Sequence, residues 1–166
     1  PGGGGWVLGG AWRGMDEERV VKPSVRRLTV SGGTGVGRMV MEKCADTVEE
    51  AARGLGGNAT FIVFDDADLD AAVEGALASK YRNAGQTCVC ANRLLVQDSV
   101  YDALRDKRAT AVSAMKVGLG TEDGVVIGPL IDQAAVAKTE EHIADAVAKG
   151  GRVVVGGARH ELGGNF

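Results

Sequence analysis

Phe61-Ile62-Val63-Phe64-Asp65-Asp66-Ala67-Asp68-Leu69 changes its pattern halfway along. Four apolar residues in a row leave no polar face, so they read as a buried strand. The aspartates end it, and Asp68 stands where a carboxylate can accept the first free N–H groups of a helix. Over 69–81, Ala72, Val73, Ala76, Leu77 and Lys80 then stack at helical spacing. A strand running directly into a helix is the unit of α/β architecture, and the chain repeats it on both sides. Upstream, 25–30 reads as a strand that enters the turn Ser31-Gly32-Gly33. Residues 37–53 then place Met39, Val40, Cys44, Val48, Ala51 and Ala52 near helical period. Downstream, 83–87 reads as a loop and 93–97 as a strand. Asp98 or Ser99 caps a helix to about residue 115. A glycine-bearing loop over 118–130 leads to an amphipathic helix over 131–149, closed by Gly150-Gly151, and a strand over 152–155. This alternation predicts α/β with a mainly parallel sheet. No internal repeat is visible.

The chain of 166 residues is 45% hydrophobic and 25% charged, enough to build a core. Its net charge of −3 and lack of a basic block argue against nucleic acid as a partner. Its apolar runs fall far short of the roughly 18–20 residues of a membrane span, so the expectation is a soluble protein with no membrane partner. Three cysteines, Cys44, Cys88 and Cys90, do not make a secreted disulfide framework, which points to the cytoplasm. Pro1 followed by four glycines, with no charged n-region, is a poor signal peptide. Residues 1–15 are expected to be a disordered Gly-rich leader, and the abrupt Glu161-to-Phe166 end suggests a piece of a longer chain.

Two segments carry chemistry. In Asn83-Ala84-Gly85-Gln86-Thr87-Cys88-Val89-Cys90, a cysteine stands on a loop among small residues, where a thiolate can be reached. The alternative is a small buried hydrophobe, the usual state of a free cysteine. A metal centre is not expected, because the only histidines are His142 and His160 and no second cysteine pair exists. The other segment, Ser31-Gly32-Gly33-Thr34-Gly35-Val36-Gly37, lies between a strand and a helix. Bare N–H groups there suit a pyrophosphate. Its spacing is not G-x-G-x-x-G and no P-loop lysine follows, so a plain tight turn stays open.

Taken together, these residues carry a resemblance. From about residue 16 to 166 the chain resembles the aldehyde dehydrogenase superfamily, most closely its succinate-semialdehyde branch. Val30 to Gly37 looks like the family's F-T-G-S-T-x-x-G cofactor turn, and Leu55-Gly56-Gly57-Asn58-Ala59 like the end of E-L-G-G-N. Phe64 to Asp70 follows as in the family, and Tyr81 to Cys88 is its nucleophile motif. Cys88-Val89-Cys90-Ala91-Asn92-Arg93 is typical of the branch, and Ile127-Gly128-Pro129-Leu130 is a further family stretch. The resemblance implies an aldehyde dehydrogenase-like α/β fold. Residues 16–57 would be the end of a Rossmann-type cofactor domain, joined to the first part of the α/β catalytic domain over 58–166. It implies NAD or NADP as cofactor and oxidation of an aldehyde to its acid through a Cys88 thioester. By the same mapping Gly32, Gly33 and Gly37 line the cofactor turn and Leu55 lies beside the nicotinamide. Arg82, six residues before Cys88, pairs with the distal carboxylate of the aldehyde substrate, as the fork of a guanidinium suits. A solvated arginine at a helix end is the alternative. The complete family protein is expected to be a homo-oligomer.

The pattern also fails in places. The general-base glutamate that opens E-L-G-G-N is replaced by Gly54, and Glu49 and Glu50 are expected four or five residues upstream on the helix. Gly33 stands where the family usually has serine. Sheet edges left without neighbours predict marginal stability and aggregation. The competing readings are a non-catalytic remnant or assembly module, and a thiol esterase working through Cys88 alone. Cys90 is a candidate redox partner of Cys88: in an extended segment the two side chains point the same way, about 6–7 Å apart, and a loop bend would bring the sulfurs to bonding distance; the alternative is Cys90 packed in the core.

Overall fold

A computed structural model of the chain describes residues 22–48 and 50–166; the leader expected over 1–15 and the side chain of Glu49 lie outside them. The described residues fall into two compact units, one ending at Gly57 and one running Asn58–Phe166.

The first unit is a βαβ element. Strand β1, Arg27–Gly32, enters helix α1, Thr34–Ala45, which leads back to strand β2, Glu50–Leu55. The strands pair in parallel, from Arg27 opposite Glu50 to Gly32 opposite Leu55. Leu28 and Val30 alternate towards α1 and pack with Ala51 and Val36 around the buried Val40 and Cys44. The helix expected over 37–53 is therefore too long. It starts three residues earlier and ends at Ala45, and Glu50 opens a strand instead of continuing a helix. Ala51, Ala52 and Arg53 favour helix locally, but the ladder with β1 recruits them, and pairing overrides propensity. Val48, counted in the helical stripe, is 90% exposed and left-handed at φ 52, a conformation hostile to a β-branched residue.

In the second unit strand β3, Ala59–Val63, pairs in parallel with β4, Ala91–Val96, with a register shift between Ala59 and Thr60. Helix α2, Leu69–Lys80, connects them. Helices α3, Asp98–Ser113, and α4, Gln133–Ala148, follow. Asp68 caps α2 as expected, its side chain accepting from the N–H groups of Asp70 at 3.0 Å and Ala71 at 3.2 Å. Val63, Val73 and Leu104 form the core, with Phe61, Leu69, Leu77 and Val96 packed around them. Each fully buried side chain of this size stabilises by roughly 1.5–3 kcal/mol, so this cluster holds α2 and α3 to the strands.

Other expectations are corrected here. The apolar run 61–64 is buried on one face only, since Ile62 is 56% exposed. The N-cap of α3 is Gln97, not Asp98 or Ser99, and its side chain bridges to Asp65 instead, donating to the carboxylate at 2.9 Å. Helix α4 starts at Gln133, behind the capping Asp132, rather than at Ile131. Residues 152–155 form no strand, because no strand among the described residues lies alongside to complete a ladder.

Candidate active site

The Cys88 loop begins where α2 ends. Tyr81 closes the helix, its N–H donating to the Leu77 carbonyl at 2.9 Å, and a short 3-10 turn, Arg82–Gly85, follows. Three residues in succession are left-handed: Asn83 at φ 53, Ala84 at φ 54 and Gly85 at φ 80. Glycine takes this region freely, whereas for Asn83 and Ala84 it costs roughly 1–3 kcal/mol each and persists only where the surroundings hold it. Asn83 and Gln86 provide a local lock. Asn83 Nδ2 donates to the Gln86 carbonyl at 3.2 Å, and Gln86 Nε2 donates to the Asn83 carbonyl at 3.1 Å.

Cys88 then sits on a tight turn, closed by the Cys90 N–H donating to the Thr87 carbonyl at 3.2 Å. Its side chain is exposed, which removes the buried-hydrophobe alternative. No acceptor among the described residues takes the Cys88 N–H, so that group stays free beside the thiol for a developing oxyanion. Cys90 behaves oppositely. It is 3% exposed, and its thiol lies 3.5 Å from the Lys80 carbonyl and 3.8 Å from that of Arg82. The segment is thus a turn and not extended, and the two thiols of the expected redox pair occupy different surroundings. For Cys90 to oxidise with Cys88 it must leave both carbonyls. Arg82 is exposed, and its guanidinium has no acidic partner among the described residues, leaving its two-pronged face open to a carboxylate.

A second set of residues lies in the first unit. Gly33 is the N-cap of α1 with no side-chain cap, and a Cβ on Gly33 or Gly35 would meet nothing within 4 Å. The first N–H groups of α1 have no partner within the helix, so the β1–α1 turn offers bare donors and positive dipole to an anion. Alongside runs a groove of about 580 Å³ lined by Thr34, Gly37, Arg38, Met41, Glu42 and Leu55. Gly32 and Leu55 are register partners, and so are Ser31 and Gly54. Bare amides at one end and an apolar side chain at the other fit the phosphate and ring portions of a dinucleotide.

Gly54 lies in extended β2, so the expected base position is part of a strand. Glu50, four residues back on that strand, faces Arg27 at 3.6 Å, and at a rise of about 3.3 Å per residue it is roughly 13 Å away. It cannot stand in for a carboxylate at position 54. The five residues Gly32, Gly33, Gly37, Gly54 and Leu55 thus share one unit, and Arg82, Cys88 and Cys90 share the other. Reading by sequence missed Gln86, whose amide oxygen also accepts the Ile131 N–H at 2.9 Å and whose Nε2 also lies 3.4 Å from the Pro129 carbonyl. The one signal for it is a long amide two residues before Cys88 in an otherwise small-residue loop. No group of three or more metal-ligating side chains occurs among the described residues, and no helix there is long and apolar enough to cross a membrane.

A model of the aldehyde dehydrogenase family matches residues 7–166. The chain is 60% identical over 160 residues to the succinate-semialdehyde dehydrogenase (NADP) of Escherichia coli K12, covering 96% of this chain and 33% of that protein. It is likewise 60% identical to a glutarate-semialdehyde dehydrogenase of Pseudomonas aeruginosa, again over 96% of this chain and 33% of the relative. The crystal structure of succinate-semialdehyde dehydrogenase from Burkholderia pseudomallei superposes with a TM-score of 0.94 at 58% identity, covering 96% of this chain and 33% of that one. The chain thus spans about a third of the length of the curated relatives it matches.

Proposed function

This chain belongs to the aldehyde dehydrogenase family, and from that premise we propose that it is the segment of an NAD(P)-dependent semialdehyde dehydrogenase that carries the nucleophile. The unit ending at Gly57 is the last part of the cofactor domain, and Asn58–Phe166 is the first part of the catalytic domain. The observation that carries the reading is the exposed Cys88 thiol on its tight turn, with its own N–H free beside it.

The chemistry follows from these residues. The Cys88 thiolate attacks the aldehyde carbon, forming a C–S bond while the carbonyl electrons move to oxygen, and the Cys88 N–H stabilises that oxyanion. Gly32, Gly33 and Gly37 with the α1 N-terminus would hold the dinucleotide, and Leu55 would pack on its ring. A bound nicotinamide supplies the hydride acceptor. The acyl group left on Cys88 is released by water, and Gly54 offers no base to activate that water. Arg82 selects aldehydes with a distal carboxylate, in line with the succinate- and glutarate-semialdehyde dehydrogenases the chain resembles. The complete enzyme is a homo-oligomer in the cytoplasm.

Gly54 also supports a second reading, in which this chain acylates on Cys88 from an activated ester and turns over slowly, as a weak thiol esterase. One experiment separates the two. Reduced nicotinamide is followed on adding succinate semialdehyde to a full-length relative carrying this segment, beside p-nitrophenyl acetate hydrolysis by the chain alone, each with Cys88→Ala as control. Cys88-dependent nicotinamide reduction supports the dehydrogenase. Ester cleavage without it leaves only the esterase.

A further inference from the structure

We propose that Gln86 is a positioning residue for the nucleophile, its carboxamide clamping the Cys88 loop to the backbone of Pro129 and Ile131. The proposal rests on Cys88 being the nucleophile. Within the loop, Asn83 and Gln86 lock each other, but a lock closed inside one turn cannot fix the direction in which that turn points. Among the described residues, the hydrogen bonds that tie the 82–90 loop to sequence-distant chain both come from Gln86. Its Oε1 accepts from Ile131 N–H at 2.9 Å, and its Nε2 donates to Pro129 O at 3.4 Å while keeping Asn83 O at 3.1 Å.

The chemistry of the side chain matters here. A carboxamide offers an acceptor and a two-proton donor in one plane, so it pairs with a backbone C=O and a backbone N–H together. A carboxylate of the same shape keeps the Ile131 contact but turns two donor contacts into lone-pair repulsions. A thioether loses all three. Ile131, whose N–H donates to Gln86, is not held by burial of its own side chain, since it is 82% exposed. The left-handed Asn83 and Ala84 lie between this clamp and α2, so releasing the clamp frees a strained turn to relax. Cys88, two residues on, then loses the fixed alignment of its thiol and N–H.

Hydrogen exchange and thiol chemistry on this chain, as Gln86→Met and Gln86→Glu, test the clamp. In the Met variant the Ile131 amide and the hydrogen-bonded loop amides of Ala84, Gln86 and Cys90 should exchange about tenfold faster. In the Glu variant Ile131 should stay protected while those loop amides loosen, a split that general destabilisation does not produce. The second readout is the ratio of Cys88 acylation by p-nitrophenyl acetate, which needs an aligned oxyanion donor, to alkylation by iodoacetamide, which does not. That ratio should fall about tenfold in both variants. Protection of the 69–80 amides reports that the fold persists; if the Met variant loses it, the Glu variant decides alone. Unchanged exchange of those loop amides, or an unchanged ratio, overturns the proposal. Should the unmodified chain show no Cys88-dependent acylation, the nucleophile assignment fails, and the exchange pattern alone decides whether the clamp exists.

Discussion

A Cβ placed on Gly37 of α1 would lie 2.6 Å from Leu55 Cδ2 and 2.9 Å from Cδ1 at the end of β2. Glycine lets the helix approach the strand end at this point, and the Leu55 side chain fills the space that a larger residue would occupy. The contact couples the turn proposed to hold the cofactor to the residue proposed to meet the nicotinamide.

Gly37→Ala therefore sets two effects against each other. Alanine gains about 1 kcal/mol of helix propensity over glycine. Overpacking typically costs about 1–3 kcal/mol, but here the obstruction is the flexible end of a half-exposed leucine, which can turn away. The net change in stability should stay within about 1 kcal/mol, while Leu55 is displaced from the groove. In a full-length relative carrying this segment, nicotinamide-dinucleotide titration should show severalfold weaker binding with a nearly unchanged thermal midpoint. A large loss of midpoint with intact binding would mean that Leu55 does not touch the cofactor.

Gly54→Glu should restore turnover. Gly54 has no positive φ, so a side chain is conformationally allowed, and the nearest atom to its Cβ is Ser31 Oγ at 3.1 Å, a hydroxyl able to rotate aside. A positioned base contributes roughly 10²–10⁴-fold to such a hydrolysis. In a full-length relative carrying this segment, the parent should accumulate an acyl adduct on Cys88, seen by intact-protein mass, and the glutamate variant should clear it at least tenfold faster per titrated thiol. Equal lifetimes would remove Gly54 from the base position.

Arg82→Ala should discriminate between substrates. Its guanidinium is exposed and without an acidic partner among the described residues, so its loss leaves no buried charge behind. A two-pronged charged contact is worth about 1.5–3 kcal/mol, on the order of ten- to a hundredfold. In the same full-length setting, kcat/KM for succinate semialdehyde should drop by that factor and that for butanal by little. Equal losses would assign Arg82 to the loop rather than to the substrate.

The last prediction concerns pH. Arg159 Nε and Nη2 donate to Glu140 Oε1 at 2.7 Å and Oε2 at 3.0 Å, tying α4 to the C-terminal stretch. These hydrogen bonds hold the Glu140 carboxyl below the usual glutamate range. A lowered folded pKa means that the contribution is complete above the unfolded value, about 4.3, and is lost as pH falls through the lower folded one. Both side chains are about half exposed, so the effect is small and screened by salt. Thermal midpoints from pH 6 to pH 2.5 should fall slightly less steeply for Glu140→Gln than for the parent, and the two curves should converge in high salt. A parallel pair of curves at low salt would show that the ion pair does not contribute.

Much of this protein was legible in its sequence, because the relevant signals are local. Phe61 to Leu69 announces strand, break and cap within one short stretch, and Asp68 accepts the amides its position predicts. The motif around Cys88 likewise marks an accessible thiol, since small residues and a glycine keep a loop open. What tertiary structure decided is whatever depends on a distant partner. Residues 50–55 carry helix-forming alanines, and they become β2 only because β1 offers a ladder. Residues 152–155 carry a strand pattern and form none among the described residues, because a strand requires a neighbour. Cys88 and Cys90 look alike in sequence, yet one is exposed and the other buried against the carbonyls that end α2. The grip of Gln86 on Pro129 and Ile131 spans more than forty residues, a separation at which no local pattern carries information. Periodicity and capping report on the nearest few residues, whereas pairing, burial and long-range hydrogen bonds are settled only when the chain folds back on itself.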